Sequence, residues 1–332
     1  MPITELEIDP LQNPSKFSLI LNPRGIAVDE VRQVLLRLYE VILLNEPGVL
    51  KRLDIEFLHE YRVAIRKTRS AITQLKHIFP SKPYKKFRDE FAWLGAITSL
   101  PRDLDVYAMQ FDNYVCLLPE EYRTDLFPLK IYIQKQQSDA YSQLWMDMRS
   151  RRYKKLKAEW LVFLEQEWGQ SKNLPMTGQA PAGEVVTHRI HDLFQLAVNE
   201  GTLLQENSPA DEWHELRKTL KKLRYLIEFF SSFYDESTVS QLVKILKTQQ
   251  QLLGNFQDYQ VQQQSLKGFA EDLMNSGKVK ATTLCAIGML LQNLYNQQQR
   301  LRQDFQTTFQ PFAKFQISEL RCLSTEIPMS ST

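Results

Sequence analysis

The sequence is poor in the residues that build tight turns, disulfides and metal knuckles. Its 332 residues include only 11 glycines, 3 cysteines and 5 histidines. Cys116, Cys285 and Cys322 lie far apart and form no Cys-x-x-Cys pair, which argues against a thiolate zinc site and favours a reducing compartment. No apolar run of about 18 residues is present, and no basic segment followed by an apolar stretch opens the chain. We therefore expect a cytoplasmic protein.

The sequence also lacks an excess of either charge. Lysine and arginine number 41 and aspartate and glutamate number 39, which leaves a formal net charge of +2. A globally basic nucleic-acid binder is excluded, so any affinity for anions must come from where the cations are placed. The hydrophobic content of 43% with 24% charged residues is typical of a globular protein. Long patterns of helical period, without convincing strand alternation, predict an all-α fold.

One basic stretch occurs twice. Residues 59–69 read His-Glu-Tyr-Arg-Val-Ala-Ile-Arg-Lys-Thr-Arg, and residues 214–225 read His-Glu-Leu-Arg-Lys-Thr-Leu-Lys-Lys-Leu-Arg-Tyr. At about 100° per residue, the histidine and three arginines of the first copy fall on one stripe of a helix. The matched positions share one offset, 214 − 59 = 155. They are His59 with His214, Arg62 with Arg217, Arg66 with Lys221, Lys67 with Lys222, and Arg69 with Arg224.

The rest of the chain repeats in the same way, as four helical elements, a linker and four more. The predicted segments are an N-terminal arm at 1–24, a first four-helix half at 25–168, a linker at 169–184, a second four-helix half at 185–323 and a frayed tail at 324–332. Together, residues 25–323 form one duplicated domain. The predicted helices are 26–45, 54–79, 84–118 interrupted at Pro101, 120–168 with a break near Pro128, 185–204, 211–233, 237–274 and 279–312.

A second correspondence lies in the third helices. Leu94-Gly95 is followed by Arg102-Asp-Leu-Asp-Val, and Leu253-Gly254 by Gln257-Asp-Tyr-Gln-Val. The first aspartates again differ by 155, as 258 − 103, but the glycines differ by 254 − 95 = 159. We therefore predict four extra residues, about one helical turn, around Pro101 in the first half.

The charges of the stripe distinguish a binding surface from an ordinary solvated helix face. Solvated faces usually mix signs, because opposite charges at i, i+4 attract and like charges there cost a few tenths of a kcal/mol each. Here like charges recur at that spacing, in Arg62–Arg66, Arg217–Lys221 and Lys218–Lys222. A polyanion would relieve this repulsion. Guanidinium and ammonium groups suit phosphate oxygens, and a regular ladder of them suits a polymer of phosphates.

Other residues could complete such a site. If the two stripes face one another, cations of the fourth helices would add to a shared groove, and Asp103, Asp105 and Asp258 could orient individual guanidinium groups. The fourth-helix cations considered are Arg149, Arg151, Arg152, Lys154, Lys155, Arg300 and Arg302. Few aromatic residues accompany the stripe and no base-reading pattern is present, which disfavours specific nucleic-acid binding.

Three competing chemistries are weaker. A metal could bind the histidines that head the motifs, or His188 and His191, but no cysteine or carboxylate completes a ligand set in sequence and the cations would repel it. No Gly-x-Ser-x-Gly elbow or phosphate-binding loop indicates covalent or nucleotide chemistry. Phosphoryl transfer would need acidic Mg²⁺ ligands. Asp103, Asp105 and Asp258 are the candidates, but we prefer to interpret them as ion-pair partners of the basic helices.

The duplicated His-x-x-Arg stretches, each followed by a Leu-Gly and Asp-x-x-Val segment, resemble the CHAD family, the conserved histidine α-helical domain. The resemblance covers about residues 25–320. It implies two four-helix bundles related by a pseudo-two-fold axis. It also implies a basic central groove or pore that binds inorganic polyphosphate, and association of the protein with polyphosphate granules. The residues that it implies as ligands are His59, Arg62, Arg66, Lys67, Arg69, His214, Arg217, Lys218, Lys221, Lys222 and Arg224.

We therefore expect a polyphosphate-binding protein that is not an enzyme and needs neither cofactor nor metal. Arg149, Arg152, Lys155 and Arg300 are included among the predicted polyphosphate ligands. Gln257, which replaces Arg102, departs from the repeat. No Glu-x-Glu-x-Lys strand of a triphosphate tunnel enzyme is present, and we expect no membrane partner. An accessory or scaffold protein for enzymes of phosphate metabolism is the alternative, and an enzyme acting on polyphosphate is the third possibility.

Overall fold

Every regular element in the described part of the chain is helical. The computed structural model describes residues 19–168, 173–277 and 279–323. Within these ranges there is no strand, and the isolated antiparallel bridges are Ile26 with Pro181 and Tyr234 with Cys322. The all-α prediction is confirmed. The predicted tail, most of the predicted arm and residues 169–172 lie outside the described residues.

The helices follow the predicted order; the interruption predicted at Pro101 lies at Thr98, and one further break in the first half, at Ser150, was not predicted. The described α-helices are α1 (Ala27–Lys51), α2 (Ile55–Gln74), α3 (Ser81–Ile97), α4 (Ser99–Cys116), α5 (Phe127–Arg149), α6 (Arg151–Glu165), α7 (Met176–Gln179), α8 (Ala182–Leu203), α9 (Ala210–Phe229), α10 (Glu236–Asn275) and α11 (Ala281–Ala313). Thr98 separates α3 from α4, and Ser150 separates α5 from α6. In contrast, α10 and α11 run unbroken for 40 and 33 residues. No described helix has the length and apolar character needed to span a membrane.

Two helix ends differ from their predicted positions because tertiary contacts override local signals. Helix α1 was expected to end near Asn45, yet it continues through Pro47 to Lys51. Its last turn is held in place because Val49 is buried and Gly48 lies against the ring of Phe57. Helix α8 begins at Ala182, inside the predicted linker, where its first residue donates to the carbonyl of Gly25 at 2.8 Å.

The predicted extra turn around Pro101 is wrong. Asp103 lies 103 − 81 = 22 residues after the start of α3, and Asp258 lies 258 − 236 = 22 residues after the start of α10. The two Leu-Gly pairs are therefore not equivalent. A Cβ on Gly95 would lie 3.0 Å from Nη1 of Arg69, whereas a Cβ on Gly254 would have no neighbour within 4 Å. What distinguishes the first half is a break in the helix at Thr98, without an insertion.

The hydrophobic core does not divide at the linker. One cluster joins α1, α2, α3 and α6 to α8, α9 and parts of α10 and α11. A second cluster joins α4 and α5 to the remaining parts of α10 and α11, with Phe111 and Leu129 in the same cluster as Leu266 and Leu290. Both clusters thus combine residues from before and after the linker. This shared core fixes the relative positions of the two repeated basic helices.

Candidate functional site

The two repeated basic stretches form helices α2 and α9, which pack against each other. Each is 20 residues long, and both ends differ by the repeat offset, as 210 − 55 and 229 − 74. Each is followed by a short 3₁₀ turn, Lys76–Ile78 after α2 and Ser231–Phe233 after α9. The duplication seen in the sequence is therefore also a duplication of local structure.

The apolar face of each helix holds it in the core. Leu58 and Ile65 of α2 and Leu216 and Leu220 of α9 are completely or almost completely buried. With this face fixed, the basic stripe is left on the side away from the core. Tyr61, which lies about 200° around α2 from His59, is also fully buried.

Cations from both helices meet around one carboxylate. Asp258 of α10 is within electrostatic range of Arg217 and Lys221 of α9 and of Arg66 of α2. We refer to Arg66, Arg217, Lys221 and Asp258 as the basic cluster. It holds three cations and one carboxylate, so it carries excess positive charge when all four groups are ionised.

Burial and neighbouring cations together change the ionisation of Lys221. Loss of water on burial, and next the charges of Arg217 and Arg66, lower the pKa of Lys221 to about 7. Burial also lowers the pKa of Arg217, with Asp258 opposing the shift. The low pKa of Lys221 thus reflects partial removal from water first and the nearby positive charges second.

Two aspartates, Asp103 of α4 and Asp258 of α10, interact with each other and with cations of the basic helices. Both are solvent-exposed, yet burial raises the pKa of both despite the cations near them. The two carboxylates also repel one another, which raises the pKa of Asp103 further.

Arg62 is held by the protein at the break between α3 and α4. Its Nη1 donates to Thr98 Oγ1 at 2.8 Å, Gly95 O at 3.1 Å and Ser99 Oγ at 3.2 Å. Burial lowers its pKa to about 10, with Asp103 opposing the shift. Arg217, the matching residue of α9, has a buried Nε without a hydrogen-bond partner. The two arginines therefore differ in how much of their hydrogen-bonding capacity is available to a ligand.

The two histidines also have different surroundings. Burial lowers the pKa of His59, and the charge of Arg102 adds to this effect, so His59 is neutral at pH 7 without an anion. Nδ1 of His214 instead pairs with Oε1 of Gln257 at 2.8 Å. Gln257 is thus a direct neighbour of the motif histidine. The sequence offset pointed to this position, 257 − 102 = 155, but could not give the contact.

A carboxylate pair accompanies His59, which the sequence reasoning overlooked. Ligand atoms of Glu56, His59 and Glu60 lie within 4.8 Å of one another, a spacing compatible with a metal ion. The expectation that no carboxylate lies close enough to join this histidine in a metal ligand set is therefore wrong. The charges of Arg102, Arg66 and Arg62 act on the same imidazole and would repel a divalent cation, so we assign no metal here.

Several predicted ligands contact other parts of the protein. Lys67 is buried and lies 3.5 Å from Glu228 Oε2, and Arg224 Nη1 lies 2.8 Å from Glu228 Oε1. Lys218 pairs with Glu215 at 2.6 Å, and Lys222 acts on Glu200 of α8. Arg69 is exposed next to Gly95. The pair of Lys67 with Glu228 thus joins α2 to α9, and Arg224 of α9 shares the same glutamate.

The cations predicted on the fourth helices are not brought to the basic cluster. Helix α6 packs on the Tyr61 side of α2, where Tyr61 and Tyr153 share a hydrogen bond of 2.8 Å. Arg152 pairs with Glu90 at 2.9 Å, and Arg149 stacks on Trp145 at 4.0 Å. Lys155 is exposed on α6, and Arg300 lines a separate cleft beside α11.

Known proteins share this all-helical architecture. The CHAD domain family matches residues 33–267. The crystal structure of the CHAD domain from the plant Ricinus communis has a TM-score of 0.77 and 21% identity, and covers 92% of this chain and 98% of that one. PptA from Streptomyces chartreusis has a TM-score of 0.67 and 16% identity, covering 86% and 100%. At these identities the likenesses establish the fold. None of the curated proteins matches significantly.

Proposed function

The chain belongs to the CHAD domain family, and from this premise we propose that α2 and α9 bind inorganic polyphosphate without chemical turnover. The observation that carries the proposal is the basic cluster, in which Arg66 from one helix and Arg217 and Lys221 from the other all lie within electrostatic range of Asp258. These cations repel one another in the absence of a ligand. A polyanion that enters between the two helices would relieve the repulsion on both sides at once.

The composition of the surroundings supports a flexible phosphate polymer. Asp103 and Asp258 are exposed to solvent, so a polymer of phosphates can reach the cations that interact with them. Tyr61 and Tyr225, the aromatic residues of the two motifs, are buried and offer no open ring for base stacking. Charge without stacking favours polyphosphate over single-stranded nucleic acid.

The same proposal includes the symmetry of the site. The equal lengths of α2 and α9, their shared offset and their mutual packing support a pseudo-two-fold axis between them. Each half would contribute four helical elements, with α3 joined to α4 and α5 joined to α6 counted as one element each. A groove along this axis would present each motif to the same phosphate chain from opposite sides.

A titration of the whole chain with long-chain polyphosphate over a salt series tests the binding. Engagement of about five cations gives a slope of log affinity against log salt of about −3 to −4. The double variant Arg66→Glu with Lys221→Glu is expected to lose binding while circular dichroism shows unchanged helicity. Lys218→Glu is the matched control, since it reverses a charge on α9 that is paired outside the cluster. Retained binding in the double variant would reject the site.

Two further measurements separate this function from its alternatives. Phosphate release from polyphosphate with Mg²⁺ present would favour an enzyme over a binding protein. Equal affinity for duplex DNA at the same salt would indicate a general polyanion sink. In cells we propose that the protein associates with polyphosphate granules; a fluorescent fusion that loses granule localisation in the double variant would link that location to the basic cluster. Localisation that survives would favour recruitment by a protein partner.

A further inference from the structure

Two clefts outside the basic cluster lie at matching positions in the two halves. A cleft of about 370 Å³ is lined by Arg52 and by residues of α5, and a cleft of about 460 Å³ lies between α4, α10 and α11. Four lining positions match at the repeat offset, as in 300 − 145 = 155. These pairs are Tyr141 with Asn296, Ser142 with Gln297, Trp145 with Arg300, and Met146 with Leu301. The same helix face forms a cleft twice, but with different chemistry.

The cleft beside α11 is rich in hydrogen-bond donors. Arg300 is exposed and, within the described residues, makes no ion pair or hydrogen bond. Gln297 Nε2 donates to Asn293 Oδ1 at 2.5 Å, and Gln292 Nε2 donates to Asn296 Oδ1 at 2.9 Å. The amide nitrogens of Asn293 and Asn296 thus remain available in the cleft. No carboxylate is among the residues that line it, so the cleft suits an anion rich in acceptor oxygens.

The remaining walls suit a flat ring. Leu117, directly after α4, and Leu301 of α11 supply apolar surface, and the half-buried ring of Tyr259 lies in the same lining. The volume of about 460 Å³ falls in the range of small-molecule sites, which combine apolar walls with a few polar groups. The cleft thus offers a place for a planar heterocycle next to a place for phosphate.

We propose that the cleft between α4, α10 and α11 binds a nucleoside phosphate. Arg300 would pair with the phosphate, the carboxamides of Asn293 and Asn296 would donate to oxygen or ring nitrogen acceptors, and the base would lie against Leu117 and Tyr259. The proposal does not depend on polyphosphate binding, because none of these residues belongs to the basic cluster.

The matching cleft of the first half provides an internal control. There the guanidinium of Arg52 lies 4.1 Å from the Tyr141 ring centre, and that of Arg149 lies 4.0 Å from the Trp145 ring centre. The protein's own arginines therefore already cover these rings. Trp145→Ala alters the position that matches Arg300 without touching the proposed nucleotide site.

Calorimetric titration of the full chain with ATP, GTP, CTP and UTP, and with inorganic triphosphate, tests the proposal. At least one nucleotide should bind and, once the basic cluster is reversed by Arg66→Glu with Lys221→Glu, should bind more tightly than triphosphate. Arg300→Ala should weaken that binding about tenfold or more, because a charged hydrogen bond is lost. Asn296→Asp should weaken it as well, since a carboxylate then faces the phosphate. Both positions are exposed, so these variants are expected to fold.

The control variants decide where a bound nucleotide lies. Because the proposed polyphosphate site would also take a triphosphate group, nucleotides and triphosphate are compared in the double variant Arg66→Glu with Lys221→Glu, which should keep the binding of at least one nucleotide. Trp145→Ala in the same background should leave nucleotide affinity unchanged. Three results would each overturn the proposal: no nucleotide binding at millimolar concentration, triphosphate binding by the double variant as tight as that of every nucleotide, or nucleotide binding by the double variant that survives Arg300→Ala.

Discussion

Nη1 of Arg62 lies 2.8 Å from Oγ1 of Thr98 and also donates to Gly95 O and Ser99 Oγ. These bonds hold α2 to the break between α3 and α4. At the repeat offset, Thr98 and Ser99 correspond to Leu253 and Gly254, which offer no side-chain oxygen. The same arginine position is thus a structural anchor in one half and an open donor in the other.

Exchanging each arginine for lysine should separate these roles. Arg62→Lys keeps the charge but cannot reproduce the planar donor geometry, so we expect a loss of about 1–3 kcal/mol in the free energy of unfolding. Arg217→Lys should change stability less and weaken polyphosphate binding more. Urea unfolding and polyphosphate titration of both variants check this. Equal destabilisation by the two substitutions would contradict the assignment of Arg62 as the anchor.

Polyphosphate binding should weaken as pH rises above about 7. The pKa of Lys221 is about 7 in the free protein because of burial and the nearby charges of Arg217 and Arg66. A bound polyanion favours the charged ammonium, so binding takes up a proton, and affinity should fall by up to about tenfold per pH unit for one proton. Lys221→Arg should remove this dependence, while Lys218→Arg should retain it. Titrations from pH 6 to 9 at constant ionic strength measure the slope.

The contribution of Lys221 to the stability of the free protein should rise with pH, whereas its contribution to polyphosphate affinity falls. The unfolded chain keeps the Lys221 proton up to its ordinary pKa of 10.5, whereas the folded chain releases it near 7. Between these values the unfolded state binds more protons, so the contribution of Lys221 to stability rises with pH. The free energy of unfolding in urea is measured for the wild type and for Lys221→Met between pH 7 and 9. The difference between the two slopes of this free energy against pH is the contribution of Lys221. Identical slopes would contradict the low pKa.

Glu228 should be important for stability out of proportion to its single charge. Its Oε2 lies 3.5 Å from Lys67 Nζ, and its Oε1 accepts from Arg224 Nη1 at 2.8 Å. Glu228→Gln leaves both cations in a partly buried site without their counter-charge, so we expect a loss of about 2–4 kcal/mol. Glu215→Gln on the same helix removes an exposed pair with Lys218 and should cost less than about 1 kcal/mol. Similar losses in thermal and urea unfolding would show that the pairing across α2 and α9 contributes little.

Two helical glycines should respond oppositely to alanine. A Cβ on Gly201 would lie 2.1 Å from Cζ of Phe309, whereas a Cβ on Gly254 would meet no atom within 4 Å. We therefore expect Gly201→Ala to destabilise the protein by about 1–3 kcal/mol through overpacking. Gly254→Ala should stabilise it by up to about 1 kcal/mol through helix propensity. Differential scanning calorimetry gives the sign of the stability change for each variant. Stabilisation by Gly201→Ala would contradict the close approach of Gly201 to Phe309.

Much of the architecture could be predicted from the sequence because it depends on local pattern. The offset of 155 between the two basic stretches anticipated that α2 and α9 would have matching ends. The interruption predicted at Pro101 lies three residues earlier, at Thr98; its position could not be predicted, since it coincides with bonds from Arg62, a residue 36 positions earlier. Likewise, α1 was expected to end near Asn45, but it continues through Pro47, where burial of Val49 outweighs the lost backbone bond.

The sequence identified the cations that meet in the basic cluster, but it did not show which other cations lie away from it. Arg66, Arg217 and Lys221 lie on stripes that periodicity alone identifies. Arg152 was assigned to the same site because the sequence does not reveal which side of α2 receives α6. The hydrogen bond between Tyr61 and Tyr153 determines that side. Arg102 was weighed only as a secondary position, since its effect on His59 comes through space from another helix.

The two core clusters, which each draw residues from both repeats, have a consequence for how such a chain could arise. Helices α4 and α5 complete their apolar packing on α10 and α11, so a polypeptide carrying one repeat would leave that surface uncovered. A single-repeat ancestor could bury it only by pairing with an identical copy. Gene duplication and fusion would then have turned a homodimer interface into an internal core.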